Sequence, residues 1–245
     1  MNAAVSPVDM FSRWFGGPTL EGLLLARHRA IDELLARAID AGRVSQVIEV
    51  AAGLSPRGWR FKQRYADRLH YIEADLPNMA RLKRERLARA GLLQPGHEVV
   101  TFDALAESGP LSLHELTARL DPGRGLAFIT EGLLMYLSRA AVQGLWARFA
   151  QTLGGFSDGL YLSDLHLQDA NQDYLMTSFR PVLAAFVRGT VQLHFENAPQ
   201  ALAALREAGF KQTALHHPQD VLPAKLLPSC KGPELVRIIE ASVFA

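Results

Sequence analysis

The sequence predicts an α/β fold: a doubly wound, mostly parallel seven-stranded sheet with an antiparallel last strand. Three observations predict it. Apolar runs of strand length alternate with helix-length periodic segments along most of the 245 residues. The run Val47-Ile48-Glu49-Val50 passes directly into a small-residue turn, Ala51-Ala52-Gly53-Leu54-Ser55-Pro56, and then into an aromatic and basic helix. That is the first strand–turn–helix unit of a doubly wound domain, in which small residues let a ligand approach the backbone. Finally, acids recur at the carboxyl ends of the predicted strands, where open α/β sheets bind their ligands.

Bulk properties narrow the function. Hydrophobic residues make up 49% and charged residues 21% of the chain, a globular composition able to bury roughly 70–75% of its unfolded surface in a single domain over 1–245. The formal net charge of +1 gives no bulk attraction to nucleic acid or to an anionic membrane, so neither is expected as a partner. One cysteine, Cys230, excludes an internal disulfide framework and suits a reducing, cytoplasmic setting. The first residues lack a basic segment followed by an apolar one, so no signal peptide is expected. No apolar run approaches about 18 residues, so no membrane span is expected.

The elements follow in order. Residues 1–18 hold Phe11, Trp14 and Phe15 among Gly and Pro, an arm with aromatic anchors. Thr19 to Ala41 has helical spacing, with an apolar face of Leu20, Leu24, Ile31, Leu34, Leu35 and Ala38. Arg27 falls on that same face, and a guanidinium pointing inward needs an anion. Asp32 or Glu49 could serve, and so could the carboxylate of a ligand.

Strand one is predicted at Gln46–Val50 and a helix at Gly58–Ala66. Strand two, Leu69–Ile72, runs into Glu73-Ala74-Asp75-Leu76-Pro77. Glu73 stands where doubly wound folds grip ribose hydroxyls with an acid. Pro77 opens a helix, where its missing N–H costs nothing. That helix, to Ala90, is strongly basic (Arg81, Lys83, Arg84, Arg86, Arg89) but lacks the aromatics of a nucleic-acid surface, so a solvated face accounts for it better.

Strand three is predicted at His97–Phe102, before Asp103-Ala104, and a short helix at Leu111–Leu120. Strand four, Leu126–Thr130, leads into Glu131, and Ser138 caps a helix to about Leu153. Strand five is Leu160–Leu165, with Asp164 and His166 at its end. The aromatic stretch 167–195 is too long for a simple crossover and is predicted to be a helical lid inserted over the site. A helix at Pro199–Ala208 precedes two final strands, Phe210–His216 and Leu235–Ala241, which can pair antiparallel across a Pro-rich linker. One acid at a strand end is ordinarily a helix cap. Acids at several strand ends in register describe a polar crevice. His216-His217 has the wrong spacing for a metal pair on one helix face, and no metal is expected.

Four blocks within residues 27–140 bear a resemblance to a known family: Arg27-x-x-x-x-Asp32; Glu49-Val-Ala-Ala-Gly-Leu-Ser-Pro-Arg57 with Trp59-Arg60-Phe61-Lys62; Tyr71-Ile-Glu-Ala-Asp-Leu-Pro77 with Lys83; and Thr130-Glu-Gly-Leu-Leu-Met-Tyr-Leu137. The sequence resembles the leucine carboxyl methyltransferase-like S-adenosylmethionine-dependent methyltransferases, which include bacterial O-methyltransferases of natural-product pathways. The resemblance implies the Rossmann-like class I methyltransferase fold, with residues 1–42 as an N-terminal helical cover and 167–195 as a lid insertion, and S-adenosylmethionine as cofactor. By position it implies that Arg27 faces the methionine carboxylate and that Ala51 and Gly53 pass under the methionine end and ribose. Glu73 or Asp75 would hold the ribose hydroxyls, Asp103 and Ala104 would sit at the adenine, and Glu131 would hold the amino group with Tyr136 close by.

The loop departs from the family's usual Gly-Ala-Gly-(Leu/Phe)-Asp-Thr at Ala51, Ser55 and Pro56. Ala51 permits close backbone approach with a negative φ, and Ser55 removes one polar contact. The expected reaction is transfer of a methyl group to the carboxyl or hydroxyl oxygen of a small molecule. A hydroxyl acceptor would want a base, for which His166 or Asp164 is best placed. His166 could equally be a loop histidine bonded to backbone. Two other classes compete: a protein that binds the cofactor and acts as an interaction or regulatory partner, and a nicotinamide oxidoreductase. The latter would want glycines the loop lacks.

Overall fold

Short apolar strands alternate with amphipathic helices and stack into one twisted seven-stranded sheet. The computed structural model describes residues 20–169, 192–227 and 236–244. In chain order these form α1 (Leu20–Asp40), β1 (Gln46–Val50), α2 (Arg57–Tyr65), β2 (His70–Asp75), α3 (Pro77–Arg89), β3 (His97–Thr101) and α4 (Leu113–Thr117). There follow β4 (Leu126–Thr130), α5 (Arg139–Leu153), β5 (Gly159–Leu165), α6 (Ala198–Glu207), β6 (Gln212–His216), α7 (Pro218–Val221) and β7 (Arg237–Ser242). The strand order is β3-β2-β1-β4-β5-β7-β6. β1 to β5 are mutually parallel, and β7 runs antiparallel to both of its neighbours, as the sequence predicts.

Alternation along the strands builds two cores. On one face Val47, Tyr71, Ala127, Ile129 and Leu162 meet Ile31, Leu35 and Ile39 of α1 and Phe61 and Tyr65 of α2. On the other, Ile48, Ile72, Phe128 and Tyr161 meet Val142, Leu145, Trp146 and Phe149 of α5 and Leu205 of α6. The buried positions of α5 recur at helical spacing, and Ser138 caps it by accepting a hydrogen bond from the Ala141 amide at 3.2 Å. Pro77 begins α3 as expected.

Some expectations are corrected. On α1, Ile31, Leu34, Leu35 and Ala38 are buried as expected, Leu23, Ala26 and Ala30 join them, and Leu24 is exposed instead. β2 extends to Asp75 rather than stopping at Ile72, because Glu73 finds partners indoors. α4 is confined to Leu113–Thr117, its start set by the Ser112 cap. Part of the Pro-rich linker is helical, at α7. The aromatic arm and Cys230 lie outside the described residues, as does 170–191 of the expected lid. The stems of that insertion meet: Leu167 bridges Phe195, and the Gln168 amide donates to the Phe195 carbonyl at 3.0 Å. Among the described residues no helix is long and apolar enough to cross a membrane.

Candidate active site

Register places the site. Val50 pairs with Ala74 on one side and Thr130 on the other, and Thr130 pairs with Ser163. The next residue on each strand therefore falls in one row: Ala51, Asp75, Glu131 and Asp164. The row crosses the gap between β1 and β4, where the strand order reverses and where doubly wound sheets bind ligands.

The turn after β1 is held by its own backbone and by β2. The Ala51 amide donates to the Ala74 carbonyl at 2.8 Å, and the Gly53 amide donates to Asp75 Oδ2 at 2.7 Å. The other oxygen of Asp75 accepts from the Leu76 amide at 2.8 Å. Ala51 does not take the negative φ that close ligand approach would prefer. Its φ is 54°, a left-handed conformation that costs a residue with a Cβ about 1–2 kcal/mol. Ser55 accepts from the Arg57 amide at 3.2 Å and so closes the turn locally.

Beside this turn lies a cluster of buried charge. Arg57, the first residue of α2, has no exposed surface. Its guanidinium bonds Asp32 of α1 and Glu49 of β1, each at 2.5 Å, and also Glu131. Arg27 bonds Glu131 through Nε and Asp164 through Nη1, both at 3.0 Å. Its partners are thus neither Asp32 nor Glu49, which Arg57 has taken. Burial alone would raise the pKa of Glu131, but the hydrogen bond from His28 and the charges of Arg57 and Arg27 hold its carboxyl well below the usual carboxylate range. The same acids keep both guanidiniums charged against the pull of burial.

The remaining predicted residues are placed as follows. Glu73 is buried against Lys83 at 2.7 Å and His97 at 3.0 Å, beneath the turn, so of the two acids on β2 it is Asp75 that stands in the row. Asp103 follows β3 and accepts from the Leu105 amide at 2.9 Å. The carbonyl of Ala104 accepts from Arg148 at 2.7 Å. Tyr136 is 45% exposed, on the short turn Leu134–Tyr136 beyond Glu131. Both oxygens of Asp164 are occupied, one by Arg27 and the other by the Gly132 amide at 2.7 Å. His166 Nε2 lies 3.8 Å from Asp164 and shares a small cavity with Met135, Gln192 and His194. A wider groove between α4 and α5 lies off the strand ends, lined by His114, Thr117, Arg148 and Phe156.

The sequence reading gave Arg57, His28 and Gly132 no role. Arg57 carried a signal: a cation in the first turn of a helix opposes the helix dipole and implies acids close by. His28 gave none, since Glu131, 3.0 Å from its Nδ1, is 103 residues away in the chain. Gly132 has φ 66°, and a Cβ there would come within 3.0 Å of Arg27 Nη2.

Comparison with known proteins agrees with this architecture. The family model for leucine carboxyl methyltransferase matches residues 3–150, more than half of the chain. A Mycolicibacterium paratuberculosis protein provisionally named an S-adenosyl-L-methionine-dependent methyltransferase is 41% identical over 123 residues, which are 49% of this chain and 38% of that protein. A similarly named Rhodococcus jostii protein is 32% identical over 159 residues, 57% of this chain and 52% of its own length. The match thus spans about half or less of these relatives. The crystal structure of a Thermobifida fusca protein, provisionally described as a methyltransferase, superposes with a TM-score of 0.67 at 14% identity. The superposition covers 98% of this chain and 95% of that one, a likeness of fold.

Proposed function

The chain belongs to the leucine carboxyl methyltransferase family, and from that premise we propose that it uses S-adenosylmethionine to methylate an oxygen, carboxyl or hydroxyl, on a small molecule of natural-product type. The observation that carries this reading is the juxtaposition of Arg27 and Glu131 at the strand-order reversal, 3.0 Å apart. An amino-acid zwitterion needs one guanidinium and one carboxylate, and this pair supplies both. The donor set fits the cofactor in a second way. Around Arg27, Arg57 and Arg60 stand Asp32, Glu49, Glu131 and Asp164. These four acids meet the charges of the three arginines, so a ligand that carries a positive sulfonium is not repelled there.

In this reading Arg27 and Glu131 hold the amino-acid end, the Ala51–Gly53 turn lies beneath it, and Asp75 holds the ribose. Asp103 and Ala104 border the adenine, and Tyr136 stands beside the amino group. When bound, the cofactor supplies an electrophilic methyl group for a single in-line displacement. The chain's contribution is to hold the two reactants close and aligned and to exclude water. A carboxylate acceptor needs no base. For a hydroxyl acceptor the group placed to receive the proton is His166, since Asp164 is committed to Arg27 and Gly132. The acceptor is small and the setting cytoplasmic in this proposal.

Calorimetric titration of S-adenosylmethionine and S-adenosylhomocysteine into the protein tests it. Micromolar binding is expected, and Glu131→Gln, folded by circular dichroism, should abolish most of it. A folded wild type that binds neither ligand would sink the proposal. Tight binding without transfer to any carboxylate or hydroxyl acceptor would favour the interaction-protein alternative.

A further inference from the structure

We propose that Asp164 is a positioning residue that aims the Arg27 guanidinium. The inference rests on the cofactor reading above and adds a specificity device to it. Arg27 leaves α1 as a long, flexible side chain, and an arginine meant to grip a carboxylate must be fixed in direction before the ligand arrives. Two acids do this from different strands. Glu131, just past β4, takes Nε, and Asp164, on β5, takes Nη1, each at 3.0 Å. Asp164 is itself immobile. It is buried, and its second oxygen accepts from the Gly132 amide at 2.7 Å.

Gly132 completes the arrangement. Its φ of 66° turns the amide toward Asp164, and the missing Cβ leaves room for Nη2, which would lie 3.0 Å from it. Nη2 is the nitrogen of the guanidinium that carries no acid among the described residues. The clamp therefore commits two of the three guanidinium nitrogens to acids of the protein and leaves Nη2 for the ligand carboxylate. With one oxygen on Arg27 and the other on the Gly132 amide, the Asp164 charge is spent on orienting and neutralising the guanidinium.

The consequence is selectivity for the amino-acid half of the ligand. The test compares S-adenosylhomocysteine with 5′-methylthioadenosine, which keeps the nucleoside and sulfur but lacks the amino-acid end. Asp164→Asn retains an oxygen for the Gly132 amide and removes the negative charge that faces Arg27. It should raise the Kd for S-adenosylhomocysteine about tenfold or more, the effect of losing a charged hydrogen bond. The Kd for 5′-methylthioadenosine should stay within about twofold.

Gly132→Ala, which crowds the same guanidinium without altering a charge, should reproduce the split and serves if Asp164→Asn does not fold. Equal weakening of both ligands, or no change in either, overturns the role of Asp164 while leaving the cofactor reading intact. Wild-type protein that binds neither ligand overturns both.

Discussion

The two faces of the sheet solve the same problem with different physics. Under α5 and α6, buried polarity is neutral. Tyr161 accepts from Trp146 at 3.1 Å and bonds Thr130 at 2.8 Å, and Thr130 bonds Ser163 at 2.7 Å. Stacked rings surround them: Phe128 on Phe149 at 4.4 Å and Tyr161 on Phe210 at 5.7 Å. Burial pushes the Tyr161 hydroxyl up to about 12, so this network stays uncharged at working pH. Under α1, α2 and α3, buried polarity is ionic: Arg57 among Asp32, Glu49 and Glu131, and Glu73 between Lys83 and His97. A neutral network survives the loss of one member at modest cost, whereas an ionic one strands a charge. The face that carries ions is the face from which come Arg27, predicted to hold the ligand, and Asp164, predicted as a candidate base, as does Glu73.

The largest expected effect separates the faces directly. Arg57→Met leaves Glu49 and Glu131 short of a partner and should cost about 3–5 kcal/mol in urea denaturation. Tyr161→Phe, which removes the hub of the neutral network, should cost about 1 kcal/mol. Comparable losses would erase the distinction.

Acid should sharpen the contrast next. The folded-state pKa of Glu131 is depressed below its ordinary 4.5, so its contribution is full above that value and is lost as the pH falls below it. Between pH 7 and pH 3 the wild type should lose roughly 2 kcal/mol more stability than Glu131→Gln. Identical acid losses would show that the ion pairs around Glu131 do not stabilise the fold. The smallest effect concerns the turn between the faces. Ala51→Gly relieves a left-handed φ but loosens the unfolded chain, for a net gain of about 0.5–1 kcal/mol. A loss in thermal denaturation would show that Ala51 is not strained.

Much of this was legible in the sequence. Apolar runs mark β1, interrupted by Glu49, and β4, and the small residues after Val50 mark the turn at which the strand order reverses. Ser138 and Pro77 announce the helices they begin. What periodicity could not supply was the pairing of charges. The polarity of Glu73 suggested that β2 had ended, yet the strand continues because Lys83 and His97, far along the chain, neutralise that carboxylate indoors. The same blindness offered Asp32 or Glu49, alongside a ligand carboxylate, as the partner of Arg27, when Arg57 holds both acids. Leu24 fitted the apolar face by spacing but lies on the shoulder of α1, just outside the contact.

The pairing of Arg27 with Asp164 also sets a timetable for synthesis. The two residues are 137 apart in sequence, and Arg57 waits 74 residues for Glu131. A nascent chain emerging through β3 carries its arginines without their long-range acids, and contacts of such separation close slowly. Translation must therefore run past β5 before the amino-terminal helix can dock with its charges matched, so the site is assembled late and as a unit.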